Sequence, residues 1–142
     1  MKKLLLPLSI VAALASCGSG HEKSTEEPAK KFPKPGAIVA AAEMPATGDM
    51  LNHFIFSVKV VADSSVASGV YDVDVDYGPN FAEGNFTMPK GGEDLVPLIR
   101  KGGPYSFIIG FKVAGDTTFY DYFEVRSDKK STRMQYLKAY TF

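Results

Sequence analysis

The sequence predicts an all-β fold, a single antiparallel β-sandwich of about seven to eight strands over residues 37–142. Three observations predict it. Apolar residues recur with a period of two, and no helical stripe competes with that pattern. Glycine and proline clusters punctuate the chain at the short intervals expected of strand turns. With 45% hydrophobic and 12% aromatic residues, the chain is apolar enough to bury a core.

Eight segments carry the pattern, the first at about 37–43. In the second, Phe54, Phe56, Val58 and Val60 alternate with Ile55, Ser57, Lys59 and Val61. In the third, Tyr71, Val73, Val75 and Tyr77 alternate with Asp72, Asp74 and Asp76, apolar inward and polar outward. Segments at about 83–88 and 94–99 follow. The clearest is 105–113, which sets Tyr105, Phe107, Ile109, Phe111 and Val113 on one face; 118–126 and 131–141 complete the set. Turns are expected at Gly69, Gly78-Pro79, Gly91-Gly92, Gly102-Gly103-Pro104 and Gly115-Asp116.

One residue of register at the Gly115-Asp116 hairpin decides which face is free. A two-residue loop pairs Phe111 with Tyr120 and Ile109 with Tyr122, and places both tyrosines inside. An odd-length connection pairs Val113 with Phe119, Phe111 with Asp121, Ile109 with Phe123 and Phe107 with Val125. The odd register is preferred because it gathers more apolar area, although Asp121 then needs a partner or an edge position. It leaves Ile108, Tyr120 and Tyr122 on the outer face as a candidate partner surface, unless the 131–142 segment or a loop covers them.

The amino terminus is of a different kind. Met1-Lys2-Lys3 is followed by an apolar run, Leu4 to Leu14, that is too short to span a bilayer and reads as a secretory signal. The run ends in Leu14-Ala15-Ser16-Cys17, which resembles the lipobox of bacterial lipoproteins. The resemblance implies lipidation of Cys17, removal of residues 1–16 and acylation of the new terminus, so that the membrane is a partner through the lipid. Two or more acyl chains give stable anchoring. Gly18, where an aspartate would imply inner-membrane retention in enteric bacteria, points to the outer membrane if the organism has one. Residues 17–36 are expected to form a lipidated tether. Its mixed-charge sequence, with Pro28, Pro33, Pro35 and the single Phe32, buries too little to fold by itself.

The domain also bears a resemblance. Leu98, the Gly102-Gly103-Pro104 turn and Tyr105 opening an alternating strand resemble the tyrosine corner of immunoglobulin-like and fibronectin type III-like sandwiches. The Gly115-Asp116 hairpin resembles their F–G hairpin. The implied fold is an immunoglobulin-like sandwich. The sequence departs from the pattern in having no Trp, no cysteine pair, and a strand beyond the last one expected.

Catalytic chemistry finds little support. Nucleophilic catalysis usually needs an oriented histidine, and the chain offers His21 in the tether and His53 beside a strand. Zinc sites need His and Cys clusters, and none is present in the sequence. Asp72, Asp74 and Asp76 share one strand face roughly 6.6 Å apart. They are candidate calcium ligands only if a bulge, loop or second strand brings them together, so no metal or other cofactor is expected. Arg126, Lys129, Lys130 and Arg133 straddle Ser127-Asp128 as a charged hairpin turn, with contact to anionic lipid or polysaccharide as the alternative. Losing Lys2 and Lys3 with the signal leaves 14 basic residues of 16 against 16 acidic, a balance unsuited to nucleic acid.

The expectation is therefore an envelope lipoprotein whose domain is a non-catalytic binding or structural module for an envelope protein or polysaccharide. The alternatives are a carboxylate-dependent hydrolase acting on glycan and an accessory subunit of an envelope complex.

Overall fold

The structure is a computed structural model that describes residues 32–46, 53–90 and 95–142. The expected signal at 1–16, Cys17, and the expected tether up to residue 31 lie outside the described residues.

The eight expected strands form two four-stranded antiparallel sheets. Strands β1 (Ile38–Pro45), β2 (Ile55–Ala62), β3 (Val70–Tyr77) and β4 (Asn80–Thr87) make the first sheet in sequential order. Strands β5 (Leu98–Gly103), β6 (Ser106–Phe111), β7 (Tyr120–Ser127) and β8 (Thr132–Tyr136) make the second in the same way. The all-β sandwich stands. Its connectivity does not follow the immunoglobulin resemblance: each sheet is an uninterrupted meander, and the chain passes between sheets only from β4 to β5, whereas immunoglobulin sheets interleave strands through Greek-key connections.

The alternation read from the sequence is what closes the sandwich. Phe56, Val58 and Val60 of β2 and Tyr71, Val73, Val75 and Tyr77 of β3 point inward and are buried. They meet Phe107, Ile109 and Phe111 of β6 and Phe123 and Val125 of β7. Ring pairs tie the sheets at both ends, Phe56 to Phe107 at 4.9 Å between centroids and Phe86 to Phe123 at 5.2 Å. Each fully buried side chain of this size contributes roughly 1.5–3 kcal/mol.

Turn chemistry sets the boundaries. Tyr77 pairs with Asn80 across Gly78-Pro79. Gly78 has φ +59, which a proline in the second turn position leaves to the first, as a type II′ hairpin requires. The expected strand at 94–99 starts instead at Leu98, because Pro97 lacks the N–H a ladder needs. The expected 131–141 strand stops at Tyr136, and the remaining residues fold back: the Leu137 N–H donates to Tyr122 O and the Tyr140 hydroxyl to Asp121 O. At the front, the Gly36 N–H donates to Ala62 O, which ties the residue before β1 to the sheet.

The β6–β7 register combines the two readings. Phe107 faces Val125 and Ile109 faces Phe123, as the odd register requires, but Phe111 faces Tyr120, as the two-residue loop requires. A β-bulge between Ile109 and Gly110 absorbs the difference, with Tyr122 as the extra residue of β7. The bulge turns Asp121 outward and leaves both Tyr122 and Phe123 in the core. It thereby removes the buried carboxylate that the unbroken odd register would have cost.

Gly110 is the residue that permits this arrangement. A Cβ there would strike the Tyr120 carbonyl oxygen and the Phe119 ring. Gly110→Ala should therefore lower stability by about 3 kcal/mol or more, read as a fall in urea midpoint at unchanged m-value.

Candidate functional site

The expected surface of Ile108, Tyr120 and Tyr122 does not form. Ile108 does lie on the outer face, between Arg100 and Glu124 on its neighbouring strands, but it is buried. Tyr122 is buried in the core, and its hydroxyl donates to Thr87 O at 2.7 Å. Tyr120 is half-buried and lies parallel to Phe111 at 5.5 Å. The physical reason is the bulge, which rotates both tyrosines toward Phe111. Tyr140 and Phe142 of the carboxy-terminal segment then pack against the same ring, at 5.3 and 5.8 Å.

The loop leading into this group is held by one carboxylate. Asp116 Oδ1 accepts the Thr118 N–H at 2.8 Å, and Oδ2 accepts the Tyr120 hydroxyl at 2.7 Å. The Thr118 amide first, and then the Tyr120 hydroxyl, hold the Asp116 carboxyl down at about 2. The same bond pushes the Tyr120 phenol up.

On the outer face of the second sheet, Asp121 finds Arg100. The guanidinium makes a bidentate pair, Nε to Oδ1 at 3.0 Å and Nη2 to Oδ2 at 2.6 Å, and lies over the Phe119 ring at 5.4 Å. Phe119 in turn rests on Gly110. Both ends of the pair are solvent-accessible, so its contribution to stability is small.

Asp72, Asp74 and Asp76 occupy the outer face of β3, half-exposed, as the alternation predicts. Their lateral neighbours are Val61 and Asn85, Lys59 and Glu83, and Ser57 and Phe81. The Ser57 hydroxyl makes a long contact of 3.5 Å with Asp76. Partial burial, and then the charges of Asp63 and Asp74, push the Asp72 carboxyl up. Among the described residues no group of three His, Cys, Asp or Glu side chains is placed to hold a metal ion.

A groove of about 700 Å³ crosses this same outer face, over β1, β2 and the end of β3. Glu43, Ser57, Lys59 and Asp76 supply its polar groups, and His53 and Ile55 line it as well. His53 holds φ +50, a left-handed conformation unusual for a residue with a side chain. Glu43, Ser57 and Asp76 lie on one cross-strand row, and Lys59 is one pleat further along β2. The sequence marks Asp76 and His53 but not Glu43 or Lys59. Alternation gives the face of each residue, while the β1–β2 pairing that sets them side by side is not encoded by any short turn.

The basic run forms the expected hairpin turn. Asp128 Oδ1 accepts the Lys130 and Ser131 N–H groups at 2.7 and 2.9 Å, and the Lys129 carbonyl accepts from Asn80 Nδ2 at 3.3 Å. No protein-family model matches the chain, and neither a curated protein nor a solved structure shows detectable similarity to it.

Two outcomes are expected. Tyr122→Ser should cost about 3 kcal/mol or more, since it empties a core position and strands the Thr87 carbonyl, whereas an exposed partner-binding tyrosine would leave the urea midpoint unmoved. The Asp116 carboxyl titrates below its ordinary value, so its contribution to stability is complete above about pH 3.8 and is lost as pH falls toward 2. Carbon-detected NMR titration should place Asp116 as the low outlier, and Tyr120→Phe should move it part of the way back up.

Proposed function

We propose that this protein is a membrane-anchored envelope lipoprotein whose β-sandwich is a non-catalytic binding or structural module. The observation that carries the module reading is the form of the groove on the first sheet. It is a broad concavity on an outer sheet face, floored by paired strands, with acidic and basic groups spaced by the pleat. Groups across the strands are about 4.8 Å apart and groups along one strand roughly 6.6 Å apart. Such a rigid, open array suits successive polar contacts with an extended envelope polymer or a protein segment. Catalysis by carboxylates calls for a water-excluded site in which donors and charges are held against a reacting atom, and half-exposed groups on a sheet face are poorly suited to that.

The anchor reading rests on Leu14-Ala15-Ser16-Cys17 and the charged, apolar run before it. Lipid on Cys17 would hold the domain at its membrane, at the outer membrane where one exists, with the groove available to other envelope components.

Metabolic labelling with a fatty-acid analogue should mark the wild-type protein and leave Cys17→Ser unlabelled; label persisting in the variant would remove the lipobox reading. For the module, Lys59→Ala and Asp76→Ala should each weaken retention of purified envelope polysaccharide or of a cross-linked partner by several-fold without lowering the thermal midpoint. Turnover of a glycan substrate that vanished in Asp76→Ala would instead establish a hydrolase.

A further inference from the structure

We propose that the end of the sandwich at which the chain enters is a lipid-contacting surface, seated on the bilayer that the Cys17 anchor occupies. This rests on the lipoprotein reading and deepens it by assigning an orientation to the domain.

The two ends of the sandwich differ in character. The entry end is defined by Ile38 at the start of β1, Thr87 at the end of β4, Leu98 at the start of β5 and Tyr136 at the end of β8. These belong together because the Tyr136 and Tyr122 hydroxyls both bond to the Thr87 backbone. The far end carries the Gly78-Pro79 and 128–131 turns, joined through Asn80 and Lys129. Large apolar side chains left exposed among the described residues are concentrated at the entry end: Ile38, Val96, Leu98, Tyr136, Leu137 and Phe142. Ile38, Val96, Tyr136 and Phe142 are each more than half exposed, at 59%, 51%, 54% and 55%. Only Ile55 and Phe81 show comparable exposure toward the far end.

Scattered exposed apolar residues are ordinary. A bias to one end calls for an occupant, and the covalent chain names it. Residue 17 is fifteen residues before Phe32, and even fully extended that length spans on the order of 50 Å. The chain joins the fold at Ile38, within the apolar end. A short linker keeps the attached domain at an effective concentration near the millimolar range, so a surface affinity too weak to matter in solution is enough to seat it. The chemistry suits the headgroup boundary: aliphatic tips, the tyrosines and phenylalanine of an interfacial aromatic belt, and the exposed Lys34, Lys112 and Lys138 on nearby segments, set against Asp63 and Asp116 at the same end. Seated in this way, the domain directs the far-end turns away from the membrane and leaves the first-sheet groove open at its side.

The sequence contains no tryptophan, so a single introduced one reports on its own position. Phe142→Trp, Val96→Trp and Phe81→Trp would be made separately in the mature, full-length lipidated protein. Each would be reconstituted in phosphatidylethanolamine/phosphatidylglycerol vesicles with brominated acyl chains. Mass measurement of the lipidated terminus and co-flotation with vesicles test the anchor first. A protein that carries no lipid and does not float overturns the anchor and the seating together. In protein that floats, Phe142→Trp and Val96→Trp should shift to the blue and lose emission relative to unbrominated vesicles, while Phe81→Trp keeps both. Val96→Trp serves if the carboxy-terminal substitution disturbs the aromatic packing. Unquenched emission from both entry-end positions, or equal quenching at all three, overturns the seating while the anchor stands.

Discussion

The interaction on which everything else depends is the packing of two inward sheet faces without covalent help. The sequence has one cysteine, so no disulfide can join the sheets within a chain. What joins them is interdigitated apolar area, concentrated where rings from one sheet meet rings from the other, as Phe56 meets Phe107 and Phe86 meets Phe123. Every second residue of β2 and β3, and the inward residues of β6 and β7 on either side of the bulge, are committed to that task. The residues between them are consequently free to be polar, and the charged outer face of the first sheet is the counterpart of its buried face.

The bulge at Tyr122 is the local solution to a conflict in that commitment. An uninterrupted alternation along β7 would bury either Asp121 or lose Phe123 from the core. Inserting one extra residue satisfies both demands, since Phe123 and Tyr122 stay inside and Asp121 emerges beside Arg100. Two further features follow. Phe119 can settle onto Gly110 because no side chain intervenes, and the aromatic group around Phe111 gains a second tyrosine that the carboxy-terminal residues then cover. Bulges commonly re-aim side chains in this way. Here the result is a packed aromatic cluster around Phe111 where an exposed outer-face group is expected from the sequence.

The positions of functional interest differ in how far the sequence exposes them. Asp72, Asp74 and Asp76 were legible because face alternation is a property of one strand alone. The Asp128 turn was legible for a similar reason, since its hydrogen bonds reach only two and three residues along the chain. The groove was not, because Glu43, Ser57 and Asp76 come from three strands and become neighbours only through pairing. Tyr120 and Tyr122 fall on the opposite face from the one an unbroken odd register assigns, because a single inserted residue inverts the face of everything on one side of it.

What the sequence by itself determined is the fold class and its eight strands, most of the turn positions, and the inward and outward sets on β2, β3 and β6. These depend on periods and dipeptides that act within a few residues. Tertiary structure decided the meander order of the sheets, the bulge, the burial of Ile108 and Tyr122, the wrapping of the carboxy-terminal segment and the gathering of exposed apolar residues at the entry end. Each is a choice between pairings or packings of nearly equal local merit. Such choices are settled by how much apolar surface the whole chain can bury at once, a quantity to which no single segment gives access.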